Sequence, residues 1–242
     1  MLGDKPNRAG GKIVMNTFAI IISTLFLLII AALIFLYLKD QKLLKTVTKP
    51  YRGTRSERKM VLNLLKHKIP AQTIFHDLYL RNSNGSYSQL DLVVATKVGI
   101  IVFEIKEYSG WIFGTGNQRE WTQVLAYGNQ KYRFYNPIFQ NKKHITNLID
   151  QLPQCKKIPF FSVIVFFGNC EFRDMRLIPD DVFIIKSRQI DSVLEKILLE
   201  NPQAQYDDKR EVVSLLNTAV QNGDNRQICE NHIRNIQAMS NK

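Results

Sequence analysis

The chain has 242 residues, of which 45% are hydrophobic and 22% charged, and its formal net charge is +12. This composition excludes an intrinsically disordered chain and a collagen-like repeat. Three widely separated cysteines exclude a disulfide-rich miniprotein and a zinc ribbon, and they fit a reducing compartment. Residues 1–59 carry 11 basic and 3 acidic residues, leaving 22 basic and 18 acidic residues for the rest. Because the excess positive charge flanks an apolar run, it indicates binding to a membrane surface more than binding to nucleic acid.

That apolar run covers residues 13–38, which are 26 residues without a charge. As a helix it would be about 39 Å long, more than the roughly 30 Å hydrocarbon core of a bilayer. It is too long for a signal peptide, whose apolar region has about 7–15 residues. The alternative is a buried core helix, but such helices rarely lack a polar face at this length. The sequence therefore predicts a short segment, 1–12, and a transmembrane helix, 13–38.

Basic residues are unevenly placed around this run. Three Lys or Arg precede it and six follow it up to Arg55. The positive-inside rule then predicts a single-pass membrane protein whose large carboxy-terminal part is cytoplasmic. Residues 39–55 are interpreted as a basic juxtamembrane linker that contacts anionic headgroups of the lipid bilayer, at about 1 kcal/mol per basic residue.

The remaining sequence has the order of an α/β domain. A helix is predicted over 56–68, with Ser56 as its N-cap, followed by a strand over 73–80. Strands over 89–95 and 100–106 are joined by a four-residue loop, which is typical of a hairpin. Both are apolar on both faces, so we expect them at the centre of a covered sheet. Further predictions are short extra strands within 111–134, a helix over 138–152, strands over 160–167 and 182–186, and helices over 190–199, 209–221 and 226–239.

This order predicts a mixed sheet flanked by helices, preceded by the transmembrane helix and followed by a helical tail. The domain is predicted over 56–167, with a carboxy-terminal strand and helical extension over 168–242.

The predicted hairpin brings two acids together. Its loop places Ala95 opposite Ile100, so Asp91 is expected opposite Glu104, with Lys106 on the same face. Two facing carboxylates repel each other and need a raised pKa, a cationic partner or a metal ion. Mg²⁺ suits two carboxylates completed by waters. The alternative is a cross-strand ion pair with Lys106 that has no catalytic role, and the spacing alone does not decide between them.

The run Asp91-x12-Glu104-Ile105-Lys106 resembles the signature of the PD-(D/E)xK nuclease superfamily. Residues of about 52–152 further resemble the nuclease-related domain (NERD) family, which implies a restriction-endonuclease-like fold. The matching positions are Gly53, Glu57, Gln89 to Asp91, Gly99 to Lys106, Tyr108 to Gly114, Trp121 and Asn136 to Ile145. Two positions depart from the pattern: Leu90 replaces the superfamily's proline, and Glu107 follows the lysine.

The resemblance implies hydrolysis of phosphodiester bonds in DNA with Mg²⁺ or Mn²⁺. Asp91 and Glu104 would bind the ion together with the carbonyl of Ile105, and Lys106 would orient or polarise the attacking water. The alternative is a non-catalytic nucleic-acid-binding or scaffolding module at the membrane that keeps the nuclease fold. The low charge of the globular part favours this alternative.

Two further residues, Glu57 and Gln140, belong to the predicted site. Glu57 could contact the metal or its water from the first helix, or it could be an exposed glutamate favoured there by the helix dipole. Gln140 and His144 are four residues apart and share one helical face. Gln140 resembles the helical glutamine that supports the site in related nucleases, and we expect it to have a structural or DNA-backbone role.

Overall fold

The computed structural model describes residues 8–152 and 157–240. Its helices are α1 (Arg8–Leu44), α2 (Arg55–Lys66), α3 (Pro137–Gln151), α4 (Ile190–Glu200), α5 (Lys209–Asn222) and α6 (Arg226–Ser240). Its strands are β1 (Ile74–Arg81), β2 (Tyr87–Thr96), β3 (Gly99–Glu107), β4 (Gly110–Thr115), β5 (Glu120–Leu125), β6 (Gln130–Tyr135), β7 (Phe160–Phe167), β8 (Cys170–Arg176) and β9 (Val182–Lys186). Residues 1–7 of the predicted first segment, and Cys155, lie outside the described residues.

The strands form two mixed sheets flanked by helices. The central sheet has the order β1-β2-β3-β7-β9, in which β1 to β3 are antiparallel and β7 and β9 run parallel to β3. The second sheet has the order β6-β5-β4-β8, with β8 parallel to β4. The predicted α/β fold with a mixed sheet and flanking helices is therefore confirmed. Strand β3 occupies the centre of its sheet, as its two apolar faces predicted.

Helices cover both faces of the central sheet. One face packs against the end of α1, α2 and α4, through residues such as Leu44, Leu64 and Leu194. The other face packs against α3 and α5, through residues such as Leu148 and Leu216. The second sheet lies on the α3 side, where Ile112 and Trp121 pack with Ile138 of α3 and Phe166 of β7. Trp121 is 1% exposed, which places it in the core.

Helix α1 is long and apolar enough to cross a membrane over Ile21–Leu44. It extends beyond the predicted end at residue 38, and large apolar side chains between Ile21 and Leu38 are exposed. None of the apolar window is buried, whereas the core helix of a soluble protein would be mostly buried.

The predicted linker over 39–55 needs correction. Helix α1 continues to Leu44, whose side chain is buried in the core beside α2. Asp40 pairs with Lys66 of α2 at 2.8 Å, and Thr48 is buried against His76. Leu44, Thr48 and Arg52 are buried at intervals of four residues, while the lysines between them face solvent. The segment therefore packs onto the domain. The sequence did not indicate this, because the buried positions lie among basic residues.

Strand β8 was not predicted. Its sequence mixes charged residues with apolar ones, and it pairs only with β4, at the edge of the second sheet. Such an edge strand needs no continuous apolar run, so its sequence pattern is weak.

Candidate active site

The candidate site lies where β2 and β3 separate. The register agrees with the prediction through the pairs Ala95–Ile100, Val93–Val102 and Leu92–Phe103. Beyond Leu92 the ladder stops, and the Oδ2 atom of Asp91 accepts a hydrogen bond of 2.7 Å from the backbone N–H of Ile105. The Asp91 side chain thus replaces a ladder bond, and it reaches one residue past its predicted partner, Glu104.

Strand β2 changes direction at Asp91. Leu92 packs into the core on the α2 side of the sheet, whereas Leu90 packs into the core on the α3 side. Residues two apart in a regular strand face the same side, so the strand twists sharply between them. Asp77 on β1, in the register position opposite Asp91, has a φ of 54°. This left-handed conformation is uncommon outside glycine, and such residues often mark functional sites.

The buried guanidinium of Arg52 holds this irregular backbone in place. Its Nε atom donates to Oδ2 of Asp77 at 2.7 Å, and its Nη2 atom donates to the backbone carbonyl of Asp77. Its Nη1 atom donates to the carbonyl of Val220 at the end of α5 and to Asp224, at 3.1 Å and 2.9 Å. Gln89 donates to the other oxygen of Asp77 at 2.8 Å. Arg52 therefore links the segment after α1, the kink beside Asp91 and the carboxy-terminal helices.

Glu104 is almost fully buried and has two basic neighbours. Its Oε1 atom lies 2.7 Å from the Nζ atom of Lys106, and its Oε2 atom lies 3.4 Å from the Nε2 atom of His144. Lys106 also donates to Oε1 of Gln140 at 3.0 Å. The buried Oε2 atom of Glu104 has no hydrogen-bond partner of good geometry. The structure thus brings the predicted residues Glu104, Lys106 and Gln140 together, with His144 beside them.

The charges of this cluster follow from burial and from its close neighbours. Burial alone would raise the pKa of Glu104, but His144 and Lys106 outweigh it and lower the pKa. Burial alone would lower the pKa of Lys106, but Glu104 and Asp91 outweigh it and raise the pKa. Burial, followed by the charges of Glu104 and Glu57, raises the pKa of Asp91 well above its ordinary value. The site therefore holds a charged Glu104–Lys106 pair beside an acid that resists ionisation.

Glu57 is buried, so the alternative of an exposed first-turn glutamate is wrong. Its Oε1 atom accepts a hydrogen bond of 2.7 Å from Thr54, and its Oε2 atom lies 3.4 Å from Nε2 of His76. The other ring nitrogen of His76 lies 2.8 Å from the hydroxyl of Thr48. A Cβ atom at Gly53 would come within 2.6 Å of both Glu57 and His76, and Gly53 has a φ of 65°. Only glycine fits both this conformation and this close approach.

The donor set of the site fits a hard divalent cation. The oxygens of Asp91 and Glu104 are the type of ligand that Mg²⁺ prefers, and an unpartnered buried oxygen on Glu104 is available. Within residues 8–152 and 157–240, no group of three or more His, Cys, Asp and Glu side chains is placed to hold a metal ion. An ion at this site would therefore depend on a backbone carbonyl and on waters to complete its coordination.

Residues 52–167 match the family model described as "nuclease-related domain", NERD. These residues form a nuclease-related domain. An uncharacterized protein of Bacillus anthracis is 25% identical over 159 residues, which cover 64% of this chain and 73% of the relative. No solved structure matches the chain. The nuclease-related domain begins at Arg52 and contains every residue of the site, whereas β8, β9 and the carboxy-terminal helices lie beyond it.

The sequence missed three residues that shape the site of the nuclease-related domain. They are Arg52, His76 and Asp77. The polar pair His76-Asp77 within an apolar strand could have indicated two of them, whereas Arg52 gave no such signal. Ile105 is at the site, but the observed contact is through its N–H.

Thr54 is the N-cap of α2, because its hydroxyl accepts a hydrogen bond of 3.3 Å from the N–H of Glu57. This corrects the predicted cap, Ser56. Replacing Thr54 with alanine should lower the free energy of unfolding of the nuclease-related domain by about 1 kcal/mol, since a helix cap is lost. Urea unfolding measures this change. The matched control is Thr218→Ala on the exposed face of α5, which should change stability by less than about 0.5 kcal/mol. Equal effects of the two substitutions would contradict the assignment.

Proposed function

We propose that the protein is a membrane-anchored, divalent-metal-dependent nuclease that hydrolyses phosphodiester bonds, with DNA as its substrate. The observation that carries this proposal is the geometry around Glu104. One of its oxygens is 2.7 Å from the Lys106 ammonium, and its other oxygen is buried without a hydrogen-bond partner. Asp91 lies next to this carboxylate at the point where β2 and β3 separate. An ion pair and a second acid in one place supply both a cation site and a nearby positive charge.

Asp91, Glu104 and the carbonyl of Ile105 would hold the metal ion, Mg²⁺ or Mn²⁺. In an extended strand, the N–H and C=O of one residue point toward the same neighbouring strand. The N–H of Ile105 points to Asp91, so its carbonyl is expected on that side as well. When bound, the ion would lower the pKa of a water and stabilise the charge on the phosphoryl oxygens.

Lys106 would act as a fixed positive charge. Its pKa is raised, so its ammonium group stays protonated and is unsuited to be a general base. It can orient the attacking water and stabilise charge that develops in the transition state. Gln140 restrains Lys106 through a hydrogen bond of 3.0 Å, and His144 lies against Glu104. Glu57 is close enough to raise the pKa of Asp91. It would therefore add negative charge near the ion without binding it.

Helix α1 would anchor the protein in the lipid bilayer. Its exposed apolar side chains support this role, because they need a nonpolar environment. The six basic residues between Lys39 and Arg55 support a cytoplasmic location of the nuclease-related domain.

The second candidate function is a non-catalytic nucleic-acid-binding or scaffolding module at the membrane. The observation in its favour is that Glu104 and Lys106 already neutralise each other at 2.7 Å. Residues 60–242 carry 22 basic and 18 acidic residues, which is a low excess for a nucleic-acid-binding surface.

Cleavage by a soluble fragment tests the proposal. The fragment should cover residues 39–242, because a cut near Thr48 would remove Asp40 and Leu44 from their contacts with α2. Labelled DNA and RNA are incubated with Mg²⁺, Mn²⁺ or EDTA and resolved on gels. We expect cleavage of DNA that needs the metal and that falls about 10²- to 10³-fold in Lys106→Ala.

The control for this test is Lys142→Ala, an exposed lysine on the same helix as Gln140. It should leave the cleavage rate unchanged, and thermal melts check that both variants are folded. The absence of cleavage with every substrate and metal, or equal rates in wild type and Lys106→Ala, would favour the binding module.

A further inference from the structure

The second sheet has one packed face and one open face. Ile112, Trp121 and Phe134 of β4, β5 and β6 are directed into the core. Because side chains alternate along a strand, the residues between them lie on the opposite face. The strand pairing aligns these residues in rows across the sheet. The open face carries Trp111, Phe113, Lys131, Arg133 and Tyr135.

Aromatic side chains are accessible on and beside this open face. Trp111 and Phe113 are partly exposed, and Tyr135 is 45% exposed. Tyr127, at the turn between β5 and β6, is 97% exposed and has a left-handed φ of 53°. Tyr127 and Trp111 line the same open cleft of about 570 Å³, together with Lys186. Large aromatic groups that remain this accessible are a common feature of binding surfaces.

Positive charge surrounds the same aromatic groups. The basic residues on or beside the open face are Arg119, Lys131, Arg133, Arg173, Arg176 and Lys186, and the acidic ones are Glu120, Glu171 and Asp174. The guanidinium of Arg173 lies 4.9 Å from the centre of the Trp111 ring. Arg133 reaches Glu120 only at 3.5 Å, and both side chains are largely exposed, so this pair is weak. Arg173 also pairs with Glu171 at 3.0 Å, and Arg176 pairs with Asp174. The remaining positive charge comes from Arg119, Lys131 and Lys186, and it leaves a net attraction for anions.

We propose that the open face binds a single-stranded stretch of nucleic acid, an inference that rests on the proposed function and assigns a surface to its substrate. Charged side chains on the edge strand β6 could serve only to prevent strand pairing between molecules. Exposed tyrosines would promote such association, so edge protection does not explain them. Aromatic rings among basic side chains on a sheet are how proteins stack unpaired bases and neutralise their phosphates.

The open face lies within reach of the candidate active site. Trp111 follows Lys106 by five residues, and Tyr135 precedes Gln140 by five residues. Five extended residues span at most about 18 Å. Nucleotides stacked as in a duplex are spaced by about 3.4 Å, so about five of them cover that distance. A strand lying on the open face can therefore continue to Lys106.

Binding of a fluorescein-labelled 20-nucleotide DNA strand to the full-length protein in detergent tests this inference. EDTA prevents cleavage, and fluorescence anisotropy gives the affinity. We expect Tyr127→Ala and Tyr135→Ala each to weaken binding about 5- to 100-fold, because a stacked base is lost. The double variant Lys131→Ala/Arg133→Ala should reduce the slope of log affinity against log salt by about 1.4, at about 0.7 per phosphate contact.

Matched controls are Tyr51→Ala and Arg210→Ala, which remove an exposed tyrosine before α2 and an exposed arginine on α5. They should leave the affinity unchanged, and thermal melts should be the same for all these surface variants. If the open-face variants bind the strand as tightly as the controls do, the inference is overturned. It is also overturned if wild type binds no strand, or if the variants lose binding only to vesicles of anionic lipid.

A parallel cleavage assay separates this inference from the proposed function. Normal strand binding without metal-dependent cleavage would overturn the nuclease proposal and leave the open face as a binding surface. The open-face variants could instead cleave as wild type does and bind the strand with the same affinity. That result would overturn the inference about the open face and leave the nuclease proposal standing.

Discussion

Replacing Asp91 with asparagine should abolish metal-dependent cleavage while making the metal-free protein more stable. The variant loses a proposed ligand of the ion, whose contribution to the transition state is several kcal/mol, so the rate should fall at least about 10³-fold. Asparagine can still accept the hydrogen bond of 2.7 Å from the N–H of Ile105. Its neutral amide removes the repulsion that Glu104 and Glu57 exert on the carboxylate.

The sign of the stability change follows from the pKa of Asp91. Burial and the neighbouring acids raise this pKa in the folded state, so the folded protein holds a proton more tightly than the unfolded chain does. The carboxyl then stabilises the fold least at high pH. Asp91 lowers the free energy of unfolding as the pH rises from the ordinary carboxyl pKa of about 4 to the raised pKa of the folded state. We expect Asp91→Asn to melt above wild type at pH 7, with a smaller difference at pH 4.

Thermal melts in EDTA between pH 4 and pH 8 measure this difference, at about 2–4 °C per kcal/mol for a domain of this size. Asp181→Asn, at an exposed position, is the control and should change nothing. Adding Mg²⁺ should raise the melting temperature of wild type and leave the variant unchanged, because only a protein that binds the ion is stabilised by it. If wild type has a higher melting temperature than Asp91→Asn in EDTA at pH 7, the Asp91 carboxylate does not destabilise the fold.

Replacing Arg52 with methionine should lower the free energy of unfolding by about 3–5 kcal/mol, since removing one member of a buried ion pair leaves the other charge unpaired. Asp77 would lose the guanidinium that binds both its carboxylate and its backbone. Arg52→Lys should recover little of the loss, because an ammonium group cannot reach Asp77, Asp224 and the carbonyl of Val220 together.

Urea unfolding of fragment 39–242 measures this loss. The control is Arg55→Met, three residues further on and exposed to solvent, which should cost less than about 0.5 kcal/mol. A double variant, Arg52→Met/Asp77→Asn, should regain part of the stability because it removes the unpaired charge. A loss of less than about 1 kcal/mol in Arg52→Met would show that Asp77 finds another partner.

The elements that the sequence predicts best are those whose signal is local. Strands β7 and β9 begin and end where their apolar, β-branched and aromatic runs do. The hairpin register was correct because a four-residue loop and a period of two leave one alignment. That register was enough to bring Asp91, Glu104 and Lys106 together.

The features that the sequence did not predict depend on distant contacts. The left-handed Asp77 is held by Arg52, 25 residues before it, and Arg52 in turn contacts Val220, 168 residues after it. A basic residue near an apolar helix gives no sign that it will be buried. The burial of Glu57 likewise depends on His76 of β1, which local helix-dipole reasoning does not include.

The way α1 ends has a mechanical consequence. Leu44, at its last turn, is buried in the core, so a rotation of the end of the helix is passed on to the domain. In an α-helix each added residue rotates everything beyond it by about 100° and advances it by about 1.5 Å. Where α1 crosses a bilayer, the number of residues between the lipid and Leu44 therefore sets the direction in which the site of Asp91 and Lys106 faces.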